Sequence, residues 1–208
     1  MKKLLYTLLA VSIIFSACKK EEEEPTNNTN NNNSGNTTNL AIGDTHQGGI
    51  IFYLDGNGGG LVAASFDQYS SAEWGCDETL ISGADGTAIG TGNQNMIDIV
   101  NANCSPNTSG NLIAANICAN LTLGGYSDWF LPSKDELNLI WLNLVDPDGD
   151  TFNSGFGDTN NLGGFVSNLY WSSTEYDSNS AWIHFLGNGD QVNVNKNLTN
   201  YVRAIRAF

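Results

Sequence analysis

Between Pro25 and Asn39 the chain is almost entirely Asn and Thr, with one Ser, one Gly and no apolar side chain beyond the opening proline. Such a stretch has nothing to bury. It cannot offset the entropy lost on ordering, so it is expected to stay flexible. Folding is thereby confined to residues 40–208, a length that supports one domain with a full hydrophobic core. A coil like that preceding it keeps its ends roughly 20–25 Å apart on average. The sequence therefore divides into 1–17, an acidic and Asn-rich tether at 18–39, and a domain at 40–208.

The first segment reads as an address. Lys2 and Lys3 precede an apolar run from Leu4 to Ala17 that is too short to remain as a bilayer-spanning helix, as in a signal peptide. Ser16 and Ala17 lead directly into Cys18. A small pair before a cysteine resembles a bacterial lipobox, although Phe15 stands where that motif prefers Leu. The resemblance implies cleavage after residue 17 and lipidation of Cys18; the competing reading is an ordinary signal peptide with an incidental cysteine. Lys19, Lys20 and the run Glu21 to Glu24 resemble the export signal of Bacteroidota-type surface lipoproteins. That implies a lipid-anchored protein on the outer face of the outer membrane.

Charge narrows the partners. Of 22 acidic residues, all but Glu21 to Glu24 lie in 40–208, against only four bases there: Lys134, Lys196, Arg203 and Arg206. A field of that sign disfavours nucleic acid, anionic lipid and sulfated polysaccharide, which need positive counter-charge. It suits neutral glycans, proteins or bound cations. Cys76, Cys104 and Cys118 remain in the domain, and outside the cytoplasm three thiols allow one bridge and one spare. Cys118 falls on the apolar stripe Ile113, Ile117, Leu121, which favours a buried thiol. Cys76–Cys104 is the preferred disulfide, with the other pairings open.

Periodicity gives the elements. Ile50 to Leu54 and Leu61 to Ala64, separated by a Gly-rich turn, read as a β-hairpin. Residues 65–92 read as irregular, anchored by Trp74. Helices are expected over Asn93 to Asn103 and Asn111 to Leu121. Ser133 and Glu136 form a capping box, and Leu137, Ile140, Trp141 and Leu144 give the following helix its stripe. After an acidic loop at 145–164, strands are expected at Tyr170 to Thr174, Ala181 to Leu186, Asp190 to Asn195 and Tyr201 to Phe208, with a tight turn at Asn188-Gly189. A hairpin, two to three helices and an antiparallel C-terminal sheet make an α+β fold.

Four sequence blocks then carry a resemblance. Gly125 to Ser133, GYSDWFLPS, followed by Glu136-Leu137, resembles the GYxDWRLPT-x-x-EL signature of the Lcl C-terminal domain family, with Phe130 where many members have Arg. Tyr170 to Glu175, YWSSTE, resembles a second block, and Ala181-Trp182 and Val202 to Arg206, VRAIR, resemble two more. The stretches IGDTHQGGIIFYLDGNGGGLVAA and AEWGC also resemble members carried by surface lipoproteins. The resemblance implies a C-type-lectin-like mixed fold, extracellular placement and a binding or adhesion role. The sulfated-glycan binding of the adhesin that names the family conflicts with the acidity of this domain.

Candidate site residues follow. Asp146, Asp148 and Asp150, with Asp158 closing the shell, alternate as in acidic calcium loops, because a hard cation needs several oxygens from one tight turn. Thr151 and Gly157 exclude an EF-hand, and a solvated acidic loop is the competing reading. Calcium is the one cofactor suggested. A ligand site near Glu175, Asp177, Asp190, Asn193 and Asn195 is the expectation from a lectin-like fold. Trp129, Trp171 and Trp182 are expected in the core, and Arg203 and Arg206 are expected to pair internally with Asp128 or Glu175. Nucleophile-elbow, zinc-protease and dinucleotide motifs are absent, and His46 and His184 read as structural. The expectation is a module that binds a glycan or a protein without catalysis; the rival is a structural envelope component.

Overall fold

The computed structural model describes residues 39–108, 110–149 and 161–208. The expected signal peptide at 1–17, the expected tether as far as residue 38, Cys18, Asp150 and Asp158 lie outside the described residues. Three helices and two sheets of mostly antiparallel strands build an α+β domain.

Antiparallel pairing begins with β1 (Thr45–His46), β2 (Gly49–Leu54) and β3 (Gly60–Ala64), where β2 and β3 are the expected hairpin. β3 is buried at every position, so it is sandwiched rather than half-wet, which explains its unbroken apolar run. The segment read as irregular contains β4 (Tyr69–Glu73). Helix α1 (Gly92–Asn101) lies where periodicity placed it. Helix α2 (Ala114–Ala119) is shorter than expected, because Leu112 and Ile113 are extended: the Glu73 N–H donates to the Leu112 carbonyl, and Ile113 bridges Glu73.

Helix α3 (Lys134–Ile140) starts at the Ser133 capping box with both reciprocal bonds formed. Leu137 and Ile140 are fully buried, each contributing about 1.5–3 kcal/mol of apolar burial. The helix then widens into a π-helical turn, Trp141–Val145, closed by the Asp146 N–H donating to the Trp141 carbonyl.

The C-terminal half supplies β5 (Leu169–Glu175), β6 (Ser180–Phe185), β7 (Asp190–Asn195), β8 (Thr199–Val202) and β9 (Ile205–Ala207). Their turn is as expected at Asn188-Gly189, where Gly189 takes φ +82° and lies against the Trp141 ring. The single final strand of the sequence reading is instead two. The sheets run β1-β2-β3-β9 and β4-β8-β5-β6-β7, so the chain changes sheet at Arg203-Ala204. The second sheet also departs from pure antiparallel pairing, since β5 and β8 run parallel.

Both sheets share a core. Trp74, Trp129 and Trp171 are buried, and their indole N–H groups donate to the carbonyls of Ser172, Leu123 and Ala72. Cys76–Cys104 is bridged and Cys118 is a buried free thiol, pushed well above its ordinary pKa by burial. With 28 residues of separation, the bridge removes about 3–4 kcal/mol of unfolded-chain entropy.

Candidate functional site

Every cation of the folded domain is committed internally. Lys196 is buried and donates to Glu175 at 2.5 Å, to the carbonyls of Thr79 at 2.8 Å and Ser178 at 3.0 Å, and to Cys76 at 3.4 Å. Arg203, at the crossing between sheets, donates to Asp67 at 2.8 Å and to the carbonyls of Ala64, Gly163 and Gly164. Arg206 pairs with Asp128 and lies over the Tyr126 ring. Lys134 sits 3.8 Å from the centre of the Trp182 ring. The expected Arg206–Asp128 pair is present; Arg203 takes Asp67, and Glu175 takes the lysine that sequence reading left unassigned.

That placement decides what the ligand candidates offer. Glu175 is buried, and beyond Lys196 it accepts the Ile81 N–H through both oxygens. Asp177 accepts the N–H groups of Asn179 and Ser180 and so closes the β5–β6 turn. Asp190 accepts from the Asn188 side chain at the next turn. Asn193 and Asn195 are exposed on β7, opposite Trp182 and Ser180. The five therefore do not converge: one is interior, two are turn residues and two lie on an edge strand.

The proposed cation loop is described only in part. Asp146 is buried and Asp148 is exposed. Among the described residues, no group of three or more His, Cys, Asp and Glu side chains is arranged to hold a metal ion. Trp182 corrects the expectation of three core tryptophans. It is half-buried, with Lys134 over its face and the Tyr176 ring edge-on at 5.5 Å.

Carboxylates elsewhere serve the fold. Burial acts to raise the pKa of Glu73, but bonds from Asn111, Asn107 and Thr108 outweigh it and hold the group below its ordinary value. At Glu136 burial wins over the bonds donated by Ser133 and Gly90, and the pKa is raised.

Among the described residues, a recess of about 280 Å³ lies between β4 and α2, lined by Gln68, Tyr69, Leu112, Asn116, Ile117 and Asn120. No carboxylate or cation lines it. Gln68 is held at both ends: its Oε1 accepts the Ala204 N–H at 2.6 Å and its Nε2 donates to the Phe66 carbonyl at 2.7 Å. Asn120 Nδ2 donates to the Asn116 carbonyl at 2.8 Å. Gln68 and Ile117 are its half-buried members, Asn116 and Asn120 are exposed, and Tyr69 and Leu112 expose apolar surface. Sequence reading missed this site. Gln68 and Tyr69 lay in a stretch read as irregular, and the available signal was the i, i+4 spacing of Asn116 and Asn120.

The fold and recess define an α+β domain with an uncharged cleft in an acidic body. The chain belongs to the family of the Lcl C-terminal domain, which matches residues 71–206. None of the curated proteins compared with the chain matches it. β1 to β3 precede the matched segment, yet β3 pairs with Ile205 and Arg206 of β9 inside it, so the folded unit is larger than the match. The sequence blocks form one structural unit: Phe130 bridges Ile205, the Ser173 N–H donates to the Pro132 carbonyl, and the Lys134 N–H donates to Thr174 Oγ1.

Proposed function

We propose that this is a surface-anchored bacterial lipoprotein of the outer membrane whose domain binds a neutral glycan in the β4–α2 recess, without catalysis. The observation that carries this reading is the chemistry of the recess: three side-chain amides and a tyrosine beside the apolar Leu112 and Ile117, with no charged group, in a domain carrying 18 acidic residues. Amides held by the fold can exchange hydrogen bonds with hydroxyls at little ordering cost, and an exposed aromatic ring can pack on the apolar face of a pyranose. Sulfated glycans are disfavoured, because Lys196, Arg203 and Arg206 are buried and Lys134 is engaged by Trp182. The lipid anchor and surface address rest on Cys18, the charge run after it and the Asn-rich tether. The C-type-lectin-like architecture implied by the sequence blocks is compatible with an α+β domain.

The test is an array of neutral and sulfated glycans probed with the full chain, in calcium and again in chelator. Binding of neutral glycans, weakened about tenfold or more by Tyr69→Ala, is the expected result. Calcium dependence would shift the site to the acidic 146–158 segment. A preference for sulfated glycans, or silence in both buffers with the domain folded, would sink the proposal; silence would favour a structural envelope role.

A further inference from the structure

Strand β7 ends the five-stranded sheet, and among the described residues nothing pairs with its outer side. Its inner side runs in register with β6 over six consecutive pairs, Ser180 opposite Asn195 to Phe185 opposite Asp190, without a bulge. The flanking bonds fix which backbone groups face outwards. The Lys196 N–H donates to the Asn179 carbonyl, whereas the Ser180 carbonyl accepts from Tyr176 and the Leu186 N–H donates to Asn168. Odd residues of β6 therefore bond to β7 and even ones to β5, so Val192 and Val194 are satisfied within the sheet. The N–H and C=O of Gln191 and Asn193, and the N–H of Asn195, point away from it; the Asn195 carbonyl already accepts from Leu198.

Other edges are managed. β1 has two residues, β9 is bridged by Phe130, and the Glu73 end of β4 is covered by Leu112 and Ile113. β7 carries no proline or lysine, which commonly blunt an edge, and Val192 is 46% exposed. Its one charge, Asp190, sits at the turn.

We propose that β7 is a docking edge for an extended, basic peptide segment of a partner protein, which adds to the sheet as a further antiparallel strand. Backbone bonds to Gln191, Asn193 and Asn195 would supply the pairing. The choice of a basic occupant rests on charge: residues 40–208 hold 18 acidic residues against four bases, all engaged within the domain. A second copy would bring the same negative field to the same edge.

The experiment titrates the full chain with a fluorescent acetylated peptide of sequence Thr-Lys-Val-Lys-Val-Lys-Thr, its acidic counterpart with Glu for Lys, and the basic peptide N-methylated at alternate residues. Saturable binding of the basic peptide that weakens with salt is expected, with no binding of the acidic or N-methylated forms. Asn193→Pro removes an outward donor and no sheet bond, and is expected to weaken binding about tenfold or more. Equal binding of the N-methylated peptide would reduce the effect to charge attraction and overturn strand addition. Absence of binding by the basic peptide also overturns it. So does concentration-dependent dimerisation abolished by Asn193→Pro, which would give the edge to a second copy. None of these readouts involves Tyr69 or the recess, so this proposal and the glycan reading can fail separately.

Discussion

Lys196 is the residue whose removal the fold should tolerate least. Its ammonium joins three chain segments: the disulfide-bearing stretch through Cys76 and Thr79, the β5 end through Glu175, and the β5–β6 turn through Ser178. Lys196→Met keeps a side chain of similar length but removes the ammonium that lies 4.8 Å from the Trp74 ring centre. It leaves Glu175 buried with only the Ile81 N–H as its side-chain partner among the described residues, and strips three carbonyls of a donor. Breaking a buried pair from one side typically costs about 3–5 kcal/mol, chiefly because the remaining charge is uncompensated. For a domain of this size that corresponds to a fall in Tm of roughly 6–20 °C. The double variant Lys196→Met/Glu175→Gln removes the stranded charge and should recover at least half of the loss, despite carrying two substitutions. Urea unfolding of the single and double variants, followed by tryptophan fluorescence, measures both. A single variant within about 1 kcal/mol of wild type would refute the argument. A double variant no better than the single would show that the stranded carboxylate is not the cause.

Two further outcomes follow from buried groups. Burial pushes His184 down from 6.5 to about 4, against the opposing charge of Asp190, and neither ring nitrogen has a hydrogen-bond partner among the described residues. Between those values the unfolded chain binds the extra proton and the folded domain does not, so stability falls as pH drops from 6.5 to about 4, by up to about 3 kcal/mol. His184→Gln should remove that share of the slope in unfolding measured from pH 7 to 4, and parallel curves for the two proteins would contradict it. Gly92→Ala should destabilise, although alanine ordinarily favours a helix by about 1 kcal/mol. A Cβ there would collide with Glu136 Oε2 and lie 2.7 Å from the Ser133 nitrogen and 2.8 Å from the Leu131 carbonyl oxygen, inside the capping box. A Tm at or above that of wild type would show that the box yields without cost.

How much of this was legible in the sequence depended on whether a signal was local. The Ser133–Glu136 box, the β2–β3 hairpin and the Asn188-Gly189 turn are written within a few residues, and each stands where it was expected. The Cys76–Cys104 bridge matched the preference reached by placing Cys118 on an apolar stripe. β4 had no such signal: its sequence, YSSAE, lacks the usual β-formers except Tyr69, and it is a strand because β8 pairs with it from more than a hundred residues away. The same holds for α2, whose first expected turn is extended because Glu73 holds Leu112 and Ile113. The recess was hidden for this reason as well, since its two walls are β4 and α2.

The acidic balance was legible, but its meaning changes once the four bases are placed. A domain with four surface cations among 18 carboxylates would still present patches able to meet an anionic ligand. Here three of the four are buried in pairs that join distant segments, and the fourth lies on Trp182. Positive charge is spent on assembling the chain: Arg203 fixes the crossing between the sheets, Arg206 ties β9 to the Asp128 segment, and Lys196 ties β7 to the disulfide loop. Substituting any of these bases is therefore a test of folding rather than of ligand binding. The two proposals therefore rest on groups that the fold leaves unused among the described residues, the uncharged recess and the outward backbone of β7.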